Sequence, residues 1–391
     1  MLNTSLSPWP SFTQEEADAV SKVLLSNKVN YWTGTECREF EKEFAAFVGT
    51  QYAVALSNGT LALDVALKVM GIGAGDDVIV TSRTFLASAS CIVTAGANPV
   101  FADVDLNSQN ISAETIKAAL TPNTKAIIVV HLAGMPAEMD GIMDLAKEHD
   151  LWVIEDCAQA HGAKYKGKSV GSIGHVGAWS FCQDKIMTTG GEGGMVTTND
   201  KELWSKMWSY KDHGKSYDAV YHREHAPGFR WLHESFGTNW RMMEMQAAVG
   251  RIQLKRMPEW TARRQAHAAK LAESLGKFAG IRLIEVADYI EHAQYKFYAF
   301  VKPEHLKEGW TRDRIVNELN ARKVPCYQGS CSEVYLEKAF DNTPWRPKER
   351  LKNAVELGDT SLMFLVHPTL TDGEIAFCKE HIEAVLAEAT A

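Results

Sequence analysis

The sequence predicts an α/β fold, with a large domain built on a mostly parallel sheet flanked by helices and a smaller C-terminal α+β domain. Between residues 50 and 156, short runs rich in apolar and β-branched residues alternate with helical segments, as in repeated strand–helix units. The runs are continuously apolar, so their strands are expected to be buried on both faces. A length of 391 residues suits two domains, and the predicted division is 1–255 and 256–391.

The N-terminal part is predicted to be helical. The stretch TQEE that starts at Thr13 is a capping box, so a helix is expected to begin there. A second, amphipathic helix carries Phe40, Phe44 and Phe47 on one face and is expected to end at Gly49.

The alternating region follows, and its pattern changes after Asp156. Strands are predicted at residues 52–56, 77–81, 99–104, 125–131 and 151–156, with helical segments at about 60–70, 88–95, 113–119 and 140–149. The next strands, 178–181 and 194–198, have no full helix between them. Helices are then predicted at about 200–211 and 241–255, and beyond residue 256 come long helical patterns and two or three strands.

Composition excludes several classes of function. Apolar residues make up 46% and charged residues 23%, and the net charge is −8, which does not suggest a nucleic-acid or membrane-surface binder. No apolar run approaches the roughly 18 residues of a membrane span, and the N-terminus does not resemble a signal peptide. The seven cysteines are scattered and form no CxxC pair, so we expect reduced thiols, no metal site and a cytoplasmic protein.

The stretch 57-SNGT-60 ends a predicted strand and begins a helix. A helix start favours an anion such as phosphate, because its first N–H groups are unpaired and the helix dipole is positive there. Gly59 would let the anion approach the backbone, and the hydroxyls of Ser57 and Thr60 could add hydrogen bonds. The stretch matches neither the dinucleotide-binding nor the P-loop motif, and taken alone it is better explained as a plain N-cap.

The stretch 151-LWVIEDCAQAHGA-163 delivers Glu155 and Asp156 to the carboxyl end of a strand, where ligands bind in open α/β sheets. A buried carboxylate there needs a cationic partner or several donors, and a protonated ring nitrogen would serve. The alternative is an acid that caps a loop. Gln159 and His161 could bond a ligand or hold the loop together.

Lys185 lies between the aromatic run around Trp179 and Phe181 and the glycine-rich stretch 190-GGEGG-194. A lysine is usually a solvated charge, but a desolvated lysine can become a nucleophile and form a Schiff base. Ser180 is a further candidate phosphate ligand.

A phosphate turn, a strand-end acid and such a lysine together meet the requirements of pyridoxal 5'-phosphate (PLP). The aromatic Phe85, in 83-RTFLASA-89, could stack on the ring.

The sequence resembles the fold-type I, PLP-dependent aminotransferases of the DegT/DnrJ/EryC1/StrS family, which act on nucleotide-linked keto sugars. The resemblance covers most of the chain from about Gly34. The stretches that carry it are 57-SNGT-60, 84-TFLASA-89, 131-HLAGMPAEMD-140, 154-IEDCAQAHGA-163, 180-SFCQDKIMTTGGEGGM-195 and 237-GTNWRMMEMQAAVGRIQL-254.

The resemblance implies a role for each of these residues. Lys185 would form the Schiff base with PLP, and Asp156 would pair with the pyridine nitrogen. The remaining implied contacts are those of Gln159 with the ring hydroxyl, Phe85 with the ring face, and Gly59, Thr60 and Ser180 with the phosphate. Asn239 would reach the phosphate from the neighbouring subunit of a homodimer. The other interpretation of Asn239 is the N-cap of the helix predicted at 241–255, and the two roles are compatible.

The implied reaction is a ping-pong transfer of an amino group from an amino acid, L-glutamate by family habit, to a keto sugar in amino-sugar biosynthesis. A nucleotide-linked 4-keto-6-deoxy sugar is the first expectation, a 3-keto sugar is the second, and a free keto sugar or a cyclitol is a further alternative. The alternatives are a PLP-dependent sugar dehydratase, against which Lys185 argues because that branch carries histidine there, and a non-catalytic regulatory protein.

Two segments leave the substrate open. Many family members carry a His-Tyr-x-Pro-Leu-His-like stretch, but the corresponding 324-VPCYQGSCSEVY-335 keeps Tyr327 and lacks the histidines. Residues 211–238 have no clear periodicity, and such long loops are usually functional. The cations of this loop could hold a diphosphate or belong to a solvated flap; they are Lys211, His213, Lys215, Arg223 and Arg230.

Overall fold

The computed structural model describes residues 6–225, 228 and 231–390. The helices are α1 Gln14–Leu25, α2 Glu36–Val48, α3 Gly59–Val69, α4 Ala87–Thr94, α5 Ala113–Ala119, α6 Met139–Glu148, α7 Lys201–Lys211, α8 Tyr217–Tyr221, α9 Glu244–Leu275, α10 Arg312–Ala321, α11 Lys352–Thr360 and α12 Asp372–Ala389. The strands are β1 Tyr52–Leu56, β2 Asp77–Thr81, β3 Asn98–Ala102, β4 Thr124–Val130, β5 Trp152–Asp156, β6 Lys164–Tyr165, β7 Lys168–Ser169, β8 Val176–Ser180, β9 Gly194–Thr198, β10 Ile281–Leu283, β11 Ile290–Glu291, β12 Phe297–Val301, β13 Cys326–Tyr327 and β14 Ser361–Phe364.

The main sheet has seven strands in the order β1-β9-β8-β5-β4-β2-β3. The pairs β8-β5, β5-β4, β4-β2 and β2-β3 are parallel, whereas β9 is antiparallel to both of its neighbours. Strand β1 therefore runs in the same direction as β8. The carboxyl ends of β1, β5 and β8 consequently lie at one edge of the sheet, and this edge carries the segments that the sequence singles out.

Both faces of this sheet are buried, as predicted. Val78 and Val80 of β2 belong to one apolar core, and Ile79 between them belongs to the core on the opposite face. This is the consequence of the two-residue repeat of a strand, which sends successive side chains to opposite faces. The prediction of a mostly parallel sheet flanked by helices is confirmed.

The C-terminal part contains a four-stranded antiparallel sheet in the order β10-β12-β14-β13, which shares an apolar core with α10 and α12. In a small three-stranded sheet, β11-β6-β7, strand β11 from the part after residue 256 pairs with β6, which follows β5 of the main sheet in the chain. The two or three strands expected beyond residue 256 are five among the described residues, because two-residue strands such as β13 leave no periodic pattern in a sequence. The division at residue 255 stays a prediction, and α9 runs unbroken through that position.

The helix predicted from residue 241 begins instead at Glu244, with Met243 at its N-cap position. The prediction of Asn239 as the N-cap is therefore wrong. The backbone is held extended there, because Asn239 pairs with Asp212 and the carbonyl of Trp240 accepts the N–H of Ser57 at 3.0 Å.

None of the helices in the described part of the chain is both long enough and apolar enough to cross a membrane.

Candidate active site

The phosphate-turn candidate lies where β1 meets α3. Asn58 is the N-cap of α3, and its side chain accepts the N–H of Leu61 at 3.0 Å. Gly59 and Thr60 follow as the first residues of the helix, where backbone N–H groups have no intrahelical partner. The N-cap explanation therefore holds for Asn58, and it leaves the two residues predicted to hold phosphate at the positive end of the helix dipole.

Two glycines press this turn against the ends of β8 and β9. A Cβ atom on Gly59 would lie 2.5 Å from the Cβ of Ser180, and one on Gly194 would lie 2.2 Å from the Asn58 carbonyl oxygen. Either side chain would clash, so both positions require glycine. Ser180 is thereby brought beside Gly59, with its Oγ accepting the N–H of Cys182 at 3.3 Å.

Asp156 ends β5 as a buried carboxylate with neutral donors. Its Oδ2 accepts the Ser88 hydroxyl at 2.8 Å, and its Oδ1 accepts the N–H of Ala158 at 3.1 Å. Burial raises the pKa of Asp156, and those two bonds together with the charge of Lys185 offset only part of the effect. A cationic ring nitrogen beside it would favour the carboxylate form.

The neighbouring acid, Glu155, has a different role because it points to the other face of the sheet. Its oxygens accept the N–H groups of Gly171, Ile173 and Gly174 at 2.6–2.9 Å and pair with His131 Nε2 at 3.0 Å. Burial alone would raise the pKa of Glu155, but the His131 hydrogen bond and the backbone donors outweigh it and hold the pKa below its ordinary value. Glu155 thus ties the 171–174 loop to the sheet.

Gln159 and His161 follow Asp156 in a tight loop, and both are buried. The Gln159 Oε1 accepts the N–H of Ala133 at 2.7 Å, which fixes the orientation of its amide group. The His161 ring packs between Trp179 and Phe181, and its centroid lies 5.2 Å from that of Trp179 and 5.6 Å from that of Phe181. Burial lowers the pKa of His161 to about 3, so the ring is neutral and serves packing.

Lys185 follows β8 in a loop that Gly190 and Gly191 allow, since their φ angles of 87° and 124° favour glycine. Its side chain is 15% exposed, and its Nζ lies 3.8 Å from Asp184 Oδ1. The same Nζ lies 5.4 Å from the ring centroid of Tyr295. A mostly desolvated amine is therefore presented at the sheet edge that also carries Asp156.

Phe85 follows β2 at this same edge and is 70% exposed, which is unusual for a phenylalanine and leaves its ring free to contact a ligand. The region 324–335 lies beside it, because the N–H of Thr84 donates to the Cys331 carbonyl at 3.1 Å. A second bond joins the N–H of Val334 to the Ser82 carbonyl at 2.9 Å. The segment that departs from the family pattern thus borders the candidate site.

The basic residues of the loop 211–238 are largely engaged elsewhere. Lys211 is fully buried; its Nζ bonds Glu41 at 3.2 Å and lies 3.6 Å from the Tyr31 ring centroid, so it cannot meet a diphosphate at the surface. Arg223 pairs with two acids of its own segment, Asp218 and Glu234. Of the other cations, Lys215 pairs with Asp212, His213 is exposed, and Arg230 lies outside the described residues. Asn239, just after this loop, is also exposed.

Sequence reasoning missed several groups at this site. Ser88 belongs to the stretch 83-RTFLASA-89, and only its hydrogen bond to Asp156 reveals its place in the site. Trp9 donates its indole N–H to the Lys185 carbonyl at 2.9 Å, and Tyr295 bonds the neighbouring Asp184. These contacts join residues between 68 and 176 positions apart, so no local pattern could indicate them.

Comparison with known proteins decides the family. The model of the DegT/DnrJ/EryC1/StrS aminotransferase family matches residues 10–383. This chain belongs to the DegT/DnrJ/EryC1/StrS aminotransferase family. A solved aminotransferase from Psychrobacter cryohalolentis is 64% identical, with 98% of this chain and 99% of that one covered and a TM-score of 0.96. The predicted family, the fold-type I architecture and the sugar-aminotransferase class are confirmed.

Two curated relatives of this chain have names that include a sugar. GDP-perosamine synthase of Caulobacter vibrioides is 41% identical over 344 residues, which cover 86% of each chain. The dTDP-3-amino-3,4,6-trideoxy-α-D-glucose transaminase of Streptomyces venezuelae is 36% identical over 82% of this chain and 79% of its own. The family is PLP-dependent. The roles of individual residues in this chain stay predictions.

Proposed function

We propose that this chain uses PLP to transfer an amino group from an amino acid, L-glutamate first, to a nucleotide-linked keto sugar. The observation that carries the proposal is the meeting of three groups at one edge of the main sheet. These are the mostly desolvated amine of Lys185, the buried carboxylate of Asp156 and the free helix start at Gly59.

The residues fit the cofactor chemically. Lys185 would hold its aldehyde as a Schiff base, and Asp156, whose donors are neutral, would pair with the pyridine nitrogen. Gln159 would meet the ring hydroxyl and Phe85 the ring face. The phosphate would lie at the close approach of α3 to β8, where Gly59 and its neighbours supply N–H and hydroxyl donors; the proposed set is Gly59, Thr60 and Ser180.

When bound, PLP supplies an electron sink that acidifies the Cα–H bond of the amino acid. Residues of the chain itself would then accept and donate the proton. The amine of Lys185, once free, would take the proton from Cα of the amino donor, and in the second half-reaction the same amine would deliver a proton to the carbon that receives the amino group. Asp156 would stabilise positive charge on the ring nitrogen, which favours the electron sink. Partial burial of Lys185 excludes most water from the proton transfer.

A nucleotide-linked 4-keto-6-deoxy sugar is the first acceptor that we propose, and a 3-keto sugar is the second. The names of the two curated relatives support both, since one is a perosamine synthase and the other makes a 3-amino sugar. The region 324–335, which borders Phe85, is proposed to help select the sugar.

A second copy of the chain is proposed to complete the site through Asn239. This residue is exposed, and the segment before it presents Trp231 and Phe236 with 85% and 99% of their surfaces exposed. Large apolar side chains this exposed are typical of a surface that another molecule covers.

A coupled assay tests the function. Full-length protein with PLP and L-glutamate would be offered a GDP- or dTDP-linked 4-keto-6-deoxyhexose and, separately, a 3-keto analogue. The expected result is an amino sugar detected by mass spectrometry together with 2-oxoglutarate, faster with the 4-keto compound. Formation of 2-oxoglutarate with neither sugar aminated would refute the acceptor class, and no 2-oxoglutarate in any of these mixtures would refute L-glutamate as the donor.

A further inference from the structure

A pair of side chains outside the predicted cofactor contacts adjoins the reactive amine. Asp184 precedes Lys185, and its Oδ1 lies 3.8 Å from Lys185 Nζ. Its other oxygen, Oδ2, accepts the hydroxyl of Tyr295 at 2.5 Å. Tyr295 also presents its ring to Lys185 Nζ at 5.4 Å. The two residues therefore contact the lysine from two sides.

The charge states of the pair are set by their surroundings. Burial alone would raise the pKa of Asp184, but the charge of Lys185 and the Tyr295 hydrogen bond outweigh it and hold the pKa below its ordinary value. Burial and the adjacent carboxylate raise the pKa of Tyr295 well above its ordinary value. Asp184 is thus a carboxylate and Tyr295 a neutral donor across the pH range of an ordinary assay.

Other charged or titratable groups also face the lysine and its neighbour. They come from β5 and the loop after it, from the loop of Lys185 itself, from α9 and from the segment before β12: Asp156, His161, Cys182, Arg264 and Lys296. Burial lowers the pKa of Lys296 to about 8 and that of Arg264 to about 9. Asp184 is the carboxylate nearest to Lys185 among these groups, and Tyr295 is the group that holds it in place.

We propose that Asp184 and Tyr295 are a positioning pair that controls the proton affinity of the Lys185 amine. The carboxylate stabilises the ammonium form, because opposite charges at this separation attract strongly in a partly buried site. The Tyr295 hydroxyl restrains the carboxylate at 3.8 Å from Nζ and takes up part of its negative charge, which weakens this stabilisation. The two residues act in opposite directions on one proton at Nζ. This inference rests on the proposed function, in which Lys185 must both take and return a proton.

The test measures the reactivity of Lys185 without any cofactor. Full-length, PLP-free protein is given short pulses of formaldehyde and cyanoborohydride between pH 6 and 10, and methylation of Lys185 is counted by peptide mass spectrometry. Only the neutral amine reacts, so the pH midpoint reports its proton affinity. Lys296 is counted separately in the same samples.

The variants Asp184→Asn and Tyr295→Phe give opposite predictions. Asp184→Asn removes the charge and keeps an oxygen for Tyr295, so labelling at pH 7 rises about tenfold, which is a shift of about one pH unit. Tyr295→Phe frees the carboxylate to close on Nζ, so labelling falls about threefold, or about half a unit. The double variant is expected to behave like Asp184→Asn, because Tyr295 acts only through Asp184.

Asp140→Asn is the matched control, because Asp140 also pairs with a lysine, Lys166, at an exposed position. It should leave Lys185 labelling unchanged. Shifts of the same sign in Asp184→Asn and Tyr295→Phe would indicate general loosening and overturn the proposal, as would an unmoved midpoint in Asp184→Asn. If Asp184→Asn fails to fold, the sign of the Tyr295→Phe shift decides alone. Since no PLP is needed, the result is independent of whether the proposed cofactor binds.

Discussion

At the scale of single residues, β5 places two adjacent carboxylates in opposite environments. Asp156 points toward the sheet edge with neutral donors and a raised pKa, whereas Glu155 points away and is saturated by backbone N–H groups and His131. The sequence indicated that an acid at this strand end matters, and the two-residue repeat of a strand assigns the roles. Of these two carboxylates, Asp156 is the one available to a ligand with a cationic nitrogen.

The first prediction concerns Gly59. Gly59→Ala would put a Cβ 2.5 Å from Ser180 Cβ, and relieving the clash must move α3 away from β8. We expect a stability loss of about 1–3 kcal/mol and at least about tenfold weaker PLP binding. Thermal unfolding and fluorescence titration with PLP measure the two effects. Gly373→Ala is the control, because its new Cβ would meet nothing closer than Thr371 Oγ1 at 3.9 Å. Unchanged PLP affinity in Gly59→Ala would remove α3 from the proposed phosphate site.

At the scale of elements, the long apolar strands and their helices were predictable because burial on both faces leaves continuous apolar runs. The start of α9 could not be predicted in the same way, because extended pairing of Asn239 with Asp212 and of Arg241 with Leu56 overrides the local helical pattern. The two-residue strands β6, β7, β11 and β13 carry no periodicity at all. Their positions depend on partners distant in sequence, which a single sequence does not reveal.

The second prediction concerns the link that Glu155 makes between β5 and the 171–174 loop. Because the pKa of Glu155 is held below its ordinary value in the folded protein, its carboxylate contributes stability above the unfolded value of about 4.3. That contribution is lost as the pH falls through the lower folded-state pKa, at about 1.4 kcal/mol for each unit of the shift.

Glu155→Gln should therefore be less stable than the parent at pH 7 and lose less stability on acidification below pH ~5. Urea unfolding at several pH values measures both. Exposed Glu148→Gln serves as the control and should follow the parent curve. Parallel curves for Glu155→Gln and the parent would show that Glu155 titrates alike in the folded and unfolded states.

At the scale of the whole molecule, the candidate site is assembled from segments that the chain brings together from β1, β2, β5 and β8. The sequence singled out Gly59, Phe85, Asp156 and Lys185, and the sheet brings them to one edge because the carboxyl ends of parallel strands share an edge. It could not supply Tyr295, which reaches Asp184 from just before β12. The structure therefore describes the residues that one chain brings to the site, and the proposed contribution of Asn239 from a second copy can be tested by experiment.

The third prediction tests, by mixing two inactive variants, whether Asn239 of one protomer completes the site of the other. Lys185→Ala and Asn239→Ala protomers would be co-refolded or co-expressed. If Asn239 acts across a twofold dimer, a mixed dimer holds one intact site, and random pairing restores about a quarter of the parent activity. If Asn239 serves its own protomer, mixing restores nothing beyond the residual activity of Asn239→Ala. Sedimentation of the mixture verifies that dimers are present.

The most direct test of the central claim is the absorbance spectrum of the purified protein with PLP, before and after L-glutamate. The account predicts a band near the edge of the visible range that gives way to a shorter-wavelength form when glutamate is added. Lys185→Ala protein should show neither the protein-bound band nor a covalent label on this peptide after borohydride reduction. A folded parent protein with no such band, or with a band that borohydride fixes on another lysine, would contradict the assignment of Lys185 as the reactive amine.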